Sequence, residues 1–344
     1  MQYVKHSNEL LQLRKNSWIL LVLYLSCFRL DLLVIDLENV IRNTQRKQSG
    51  KSGDFELIDV DKPLWDQETY LGRLRHFAFI TDIRTVIVPS EKLLEAKQLL
   101  AEYKTGNVDP SITREDIIYA KKLHDSSFHP DNGELMTAIG RMSFQVPGNV
   151  ILTGSMLTFY KSKLAVVGWQ LINQSFNAIV NFTNRNAKSD TEGDDNIIKQ
   201  AYVGATFASC GAALTFKQLF ANKGPLLARV VPFFAVAIGN MVNLPIMRQR
   251  EITRGIPVSM KNSPENPIIE SRIAAVKGIS ECVMTRIAMA APGMLGIPVL
   301  TNWTKKYCFY QARPWLSVPT EITILALLLL ILVPTCLAIY PQRK

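Results

Sequence analysis

This chain lacks the residue patterns that mark an enzyme or a metalloprotein. Its 344 residues include five cysteines (Cys27, Cys210, Cys282, Cys308 and Cys336), an odd number with no CxxC pair, so neither a disulfide framework nor a metal site is expected. Cys210, Cys282 and Cys336 stand in apolar runs, where a thiol behaves as a small hydrophobe. The four histidines are scattered, and no HExxH, GxGxxG or GxSxG occurs. A catalytic or cofactor-binding reading therefore has no residues to carry it, and no cofactor is expected. Gly50-Lys51-Ser52 copies the end of a phosphate loop, but Gln45 stands where the first glycine is required.

Charge is missing from long stretches and unevenly placed elsewhere. Residues 54–145 carry 11 Lys/Arg against 16 Asp/Glu, whereas residues 146–344 carry 20 against 9. An acidic head is thus joined to a basic body in a chain of net charge +10. The mean hydropathy of +0.09 would suit a soluble protein, but the cations of the body sit between apolar runs. Positive charge flanking membrane segments explains that pattern better than a nucleic-acid surface does, so a lipid bilayer and no nucleic acid is expected as partner.

Residues 322–340 contain no charge over 19 positions, and 279–300 is nearly as long, with Glu281 near its start and Arg286 inside it. Segments 226–247 and 201–216 follow, the latter with Gly204, Ala208 and Ala212 four apart on one face. Small residues in such a row let helices approach closely in lipid. The first apolar region is split, 146–160 being divided from 164–180 by Lys161 and Lys163. The expected fold is all-α: a polytopic membrane bundle of about five transmembrane helices, six segments if both halves of the split region enter the bilayer, behind a small helical head. Pro232, Pro245, Pro292, Pro298 and Pro334 lie inside or at the ends of these runs, where each can bend a helix.

Three parts are expected. Residues 1–53 read as an appended extension, disordered or a non-native start: the apolar run 18–28 is too short to span ~30 Å of hydrocarbon, and 45–53 (QRKQSGKSG) is a polar linker. Residues 54–145 read as a soluble helical head. A helix with Ser90 as N-cap has apolar Leu93, Leu94, Ala96, Leu99, Leu100 and Tyr103 at helical spacing and ends at Gly106-Asn107, and a second starts at the capping sequence Thr113-Arg114-Glu115-Asp116. Residues 129–134 (HPDNGE) read as a turn closing the head onto the body, with no second ligand cluster to make His129 a metal ligand. Residues 146–344 are the transmembrane bundle.

Many separated stretches resemble the sideroflexin family in one register over roughly residues 55–342. They include Trp65-Asp66-Gln67, Phe128-His129-Pro130-Asp131, Gly140-Arg141-Met142-Ser143, Gln145-Val146-Pro147, the run Trp169 to Asn177, Asn181-Phe182-Thr183-Asn184-Arg185, Pro245 to Glu251, Gly255-Ile256-Pro257-Val258 and Ala290-Ala291-Pro292-Gly293-Met294. Residues 1–53 precede the family's usual start, and Asn132 stands where the family commonly has Thr. The resemblance implies a multi-span protein of the mitochondrial inner membrane that carries serine, and with it alanine, glycine or cysteine, for one-carbon metabolism in the matrix. It leaves open a non-transporting scaffold or assembly factor for respiratory-chain or iron-handling machinery. The thrice-repeated Pro-x-acid-x-x-base motif of the six-span mitochondrial carriers is absent.

A carrier of a zwitterion must replace the water around a carboxylate and an ammonium, and unpaired polar groups in lipid are costly. Asn173, Asn177, Asn181 and Asn184, spaced 4, 4 and 3 apart, fall within about 80° of one helix face. Gln174 lies beside them, while Phe176, Ile179 and Phe182 are expected to face elsewhere. Amides supply donors and acceptors without the desolvation cost of a charge. The same stripe would equally serve hydrogen bonding between helices. Asn240 and Asn243 form a smaller amide face. Arg286 could hold a carboxylate, with Glu281 serving the ammonium or neutralising the arginine. The candidate substrate-binding set is therefore Asn173, Gln174, Asn177, Asn181, Asn240, Asn243 and Arg286.

Overall fold

A computed structural model of the chain describes residues 58–107, 109–184, 194–258 and 269–341. The chain divides into two units between Ile58 and Asp59, and every helix and strand named below Ile58 in sequence order belongs to the second, Asp59–Lys344. The expected extension, 1–53, lies outside the described residues.

The head has three helices, α1 (Tyr70–Ile80), α2 (Ser90–Thr105) and α3 (Arg114–Ser127), with a 3-10 turn at Ile83–Ile87. Helix α3 begins in a capping box: the Thr113 hydroxyl accepts from the Asp116 N–H, and the Asp116 carboxylate accepts from the Thr113 N–H. Helix α2 ends where Gly106 adopts φ 76°, a left-handed conformation that glycine takes without strain. At its start Ser90 is the first helical residue and Pro89 the N-cap, with no side-chain cap. Pro89 stands at φ −60° and ψ 150°, outside the helix, and the helix begins one residue earlier than a serine cap would place it. Leu93, Ala96 and Leu100 of α2 are buried, as are Ile117, Ala120 and Leu123 of α3, and the two helices pack together.

Residues 128–135 form a tight antiparallel turn closed by a Phe128–Leu135 bridge. The His129 N–H donates to the Glu134 carbonyl at 2.9 Å, and Gly133 at φ 67° makes the reversal possible. No cluster of metal-ligating side chains occurs among the described residues.

The body contains α4 (Gln145–Phe159), α5 (Lys163–Thr183), α6 (Asp194–Leu219), the short α7 (Pro225–Arg229), α8 (Val231–Met247) and α9 (Gln249–Arg254). A two-stranded antiparallel ribbon, β1 (Ile256–Val258) and β2 (Ile269–Ser271), leads into α10 (Arg272–Ala291). A π-helical turn at Pro292–Gly296 joins α10 to α11 (Ile297–Thr304), and α12 (Cys308–Ala312) and α13 (Ser317–Leu337) complete the chain. Helices α4, α5, α6, α8, α10 and α13 close into a ring in which each packs on the next and α13 returns to α4. Among the described residues, three stretches are long and apolar enough to cross a membrane: Leu226–Met247, Arg272–Thr304 and Pro314–Leu337. Helices α5 and α6, of 21 and 26 residues, have the length for it at 1.5 Å per residue. Amides along α5 and charged residues at the ends of α6 make them less apolar, and α4, with 15 residues, is shorter.

The row that α6 buries most completely is shifted by one residue from the expected one. Ala201, Ala205, Ser209 and Ala213 are fully covered, whereas Gly204, Ala208 and Ala212 flank them half-buried. Both rows have a four-residue period and differ by one residue, about 100° of rotation. Both rows touch α8: Ser209 lies against Gly239, and a Cβ on Gly204 would stand 3.0 Å from Ile246 Cδ1.

Head and body are joined at the end of α13. The guanidinium of Arg73, 5% exposed, donates to the carbonyls of Ala338 at 2.9 Å and Ile339 at 3.4 Å, and to Gln67 and Glu68 on its own side. It thereby supplies a cation and donors to carbonyls that a helix C-terminus leaves without partners. Phe77 and Ile80 of α1 pack with Ala338 and Leu337 around the contact.

Candidate functional site

Inside the ring lies a cavity of about 660 Å³, within the range of small-molecule sites. Regular helical spacing builds its walls. Helix α13 contributes Leu325, Leu329, Val333 and Leu337, and α8 contributes Val236, Asn240, Leu244 and Met247. Helix α4 adds Gln145, Asn149 and Thr153, each four residues from the last. The amide stripe of α5 supplies Asn173, Asn177, Asn181 and Asn184, and α10 supplies Cys282, Thr285, Arg286 and Met289. One side is apolar, mostly α13; the opposite side is a run of carboxamides.

Arg286 and the amides are connected. One Nη of Arg286 donates to Asn181 Oδ1 at 2.9 Å, and Asn181 Nδ2 donates to Asn243 Oδ1 at 3.0 Å. The relay runs α10 to α5 to α8 and fixes the Asn181 amide orientation from both ends. Arg286 itself is half-buried, so with five N–H donors it keeps some to offer to the cavity. Asn173 is 7% exposed, and its Nδ2 is buried without a hydrogen-bond partner among the described residues. Asn184 Nδ2 is used structurally, reaching the Gly140 carbonyl at 3.0 Å.

Five of the seven candidate residues therefore meet at the cavity: Asn173, Asn177, Asn181, Asn240 and Arg286. Asn243 does not line it but anchors Asn181 from behind. Gln174 is turned the other way and is 1% exposed. A Cβ on Gly239 would stand 2.3 Å from Gln174 Nε2, so the amide rests on that glycine's backbone. Phe176, expected to face away, also lines the cavity between Asn173 and Val180; three residues from 173 and four from 180, it stays on the same side of the helix. Ile179 and Phe182 do point outward. Glu281 does not line the cavity and faces Lys277 at 4.0 Å on its own helix, so it does not pair with Arg286.

Residues not singled out from sequence include Gln145, Asn149 and Thr153, whose i, i+4, i+8 spacing is itself a polar stripe on α4. At the open end stand Arg248, Arg250, Arg254, Glu251 and Glu270. Arg248 pairs with Glu251 at 2.7 Å, and among the described residues that line this mouth cations outnumber acids, which favours the approach of anionic groups.

The model of the Sideroflexins family matches residues 59–344. Sideroflexin-2 of Drosophila melanogaster is 49% identical over 288 residues, 83% of this chain and 87% of the relative. Human Sideroflexin-2 is 45% identical over 290 residues (84% and 89%), and human Sideroflexin-1 is 43% identical over 287 residues (83% and 88%). No solved structure matches the chain.

Proposed function

Because the chain belongs to the sideroflexin family, we propose that it is a multi-span transporter of the mitochondrial inner membrane that moves serine and related small amino acids toward one-carbon metabolism in the matrix. The observation that carries this reading is the Arg286–Asn181 contact at the wall of an amide-lined cavity. A zwitterion presents a carboxylate, which the spare donors of Arg286 suit, and an ammonium, which carboxamide oxygens can accept without a buried anion. No acidic side chain lines the cavity away from its mouth among the described residues. A cationic amino acid would meet Arg286 with no compensating charge, so neutral substrates fit and lysine does not.

Purified full-length protein in proteoliposomes, supplied with labelled serine, tests the reading. Saturable uptake that unlabelled alanine competes for and lysine does not is the expected result. Absence of uptake by correctly inserted protein would reject transport and favour a membrane scaffold. Localisation is tested separately, by fractionating mitochondria that express the tagged chain.

A further inference from the structure

The charged mouth lies at one end of the cavity, and the residues packed beyond its other end form a specific set. Along α13 the lining stops at Leu325, and along α8 it stops at Val236. From Leu337 to Leu325 the open part spans about 18 Å, leaving about 12 Å of α13 beyond it at 1.5 Å per residue. That remaining length is filled first by Met156, Val236 and Met294, all buried, with Tyr160 and Phe233 packed against them. Beyond this plug, one Nη of Arg229 on α7 reaches both carboxylate oxygens of Glu321 on α13, at 3.0 and 2.9 Å.

The pair is costly in its position. The Glu321 side chain is 8% exposed within an apolar segment, and a buried ion pair seldom stabilises more than apolar residues of the same volume would. What such a pair adds is a contact that either holds in one geometry or breaks. It ties α7 to α13 across the end of the ring, between segments that are not neighbours in it, so the end cannot widen there while the pair holds. Arg229 keeps 24% of its side chain exposed, so it can turn to water once released. The π-helical turn Pro292–Gly296 lies at the plug, with Gly293 and Met294 in the cavity wall and Gly293 against Leu325, four residues on from Glu321. Such turns and prolines are where helices bend.

We propose that Arg229–Glu321, over the Met156–Val236–Met294 plug, is the gate of the closed end, and that its release opens the cavity to the opposite side of the membrane. The proposal rests on the transport reading, but its test does not need a substrate. Thr153 lines the deep part of the cavity and is 8% exposed. Thr153→Cys is placed in full-length protein whose native cysteines are replaced by alanine, reconstituted in sealed vesicles and exposed to an impermeant maleimide. Lys305→Cys, in a parallel preparation, identifies the vesicles that present the closed end outward. In the parent, Thr153→Cys should be protected from that side. In R229Q and in E321Q its labelling rate should rise about tenfold, a shift of ~1.4 kcal/mol between closed and open forms, and in the swap R229E/E321R it should return to the parent rate. Unchanged labelling in both single variants, or a swap as open as they are, overturns the gate. Should the single variants fail to accumulate, the swap decides: parental protection supports the gate, and raised labelling overturns it. Failure of the parent to take up serine would sink the transport reading while leaving these rates interpretable.

Discussion

Arg286 donates to Asn181 Oδ1 at 2.9 Å, a cation in an apolar bundle held by a neutral amide rather than by an acid. An amide dipole offsets only part of the desolvation cost of a guanidinium, so the site gains most when a carboxylate arrives. Arg286→Gln keeps length and donors but removes the charge, and Asn177→Leu removes an amide at the cavity wall at similar size. Each is expected to insert normally and to take up serine at least about tenfold more slowly, the ~1.4 kcal/mol that one lost hydrogen bond to a charged group accounts for. Uptake per inserted molecule in proteoliposomes is the measurement. Parental uptake in both would remove these residues from the substrate path, whereas reduced protein levels with unchanged specific uptake would make them structural.

Gln174 gives the opposite expectation. Both polar atoms of its amide are buried without partners, against the Gly239 backbone and remote from the cavity lining. Gln174→Met keeps the shape and removes an unsatisfied donor and acceptor, so melting of the purified protein should shift upward, by about 1 kcal/mol of stability, with serine uptake unchanged. Gly239→Ala should destabilise by ~1–3 kcal/mol through overpacking, because the new methyl would meet the Gln174 amide at 2.3 Å and Ser209 Cβ at 3.2 Å. Adding Gln174→Ala should restore much of that loss. A drop in melting temperature for Gln174→Met would instead show that the amide is satisfied by a bound water.

What can be read from the sequence depends on the range of the interaction. The amide stripe of α5 was legible because 4, 4 and 3 spacing is a local property of one helix, and Thr113–Asp116 was legible because a capping box spans four residues. Whether a residue next to the stripe joins it was not. Gln174 is one position from Asn173 and points at Gly239, while Phe176, an aromatic, faces the cavity beside the amides. The choice between the Gly204 and Ala205 rows of α6 is likewise set by its neighbour, α8, and not by α6 itself. Contacts across long sequence separations were out of reach: nothing local links Arg229 to Glu321, 92 residues on, or Arg73 to Ala338, 265 residues on.

The Arg73 contact carries its own expectation. Four donor contacts run from one buried guanidinium to the carbonyls of Ala338, Ile339, Gln67 and Glu68. Arg73→Ala would leave the end of α13 without that cation, and Arg73→Lys would restore the charge but not the fork that spans the two sides. The alanine variant should lose ~2–3 kcal/mol, in line with hydrogen bonds made to a charged group, and the lysine variant somewhat less. Limited proteolysis at the head, followed on reconstituted protein, reports the change: faster cleavage on the head side of α1 is expected. Parental protease resistance in Arg73→Ala would show that the Phe77–Ile80–Ala338 packing alone holds the two parts together.

The head should also lose stability in acid through one identifiable carboxylate. Burial by itself would raise the Asp82 pKa, but hydrogen bonds from Arg84 and Lys122, and the Lys122 charge, bring it from an ordinary 3.8 down to about 2. The side chain is 11% exposed, with Lys122 Nζ at 2.5 Å and Arg84 Nη2 at 2.7 Å; solvent screens the Lys122 contact little, whereas Arg84 is largely exposed and its share is screened. A carboxylate with a lowered folded-state pKa stabilises fully above its unfolded value, and that contribution fades as pH falls from about 4 toward about 2. The shift corresponds to roughly 2 kcal/mol. Asp82→Asn should therefore lower the stability of the head at pH 7 by an amount of that order, and the difference from the parent should shrink as pH falls through that window. Hydrogen exchange of the α3 amides, around Lys122, reads this out without requiring the membrane body to unfold. A difference between Asp82→Asn and parent that stays constant from pH 7 to pH 3 would mean the carboxylate acts only as the helix-turn cap it provides to the Arg84 N–H at 3.0 Å, with no contribution from its charge.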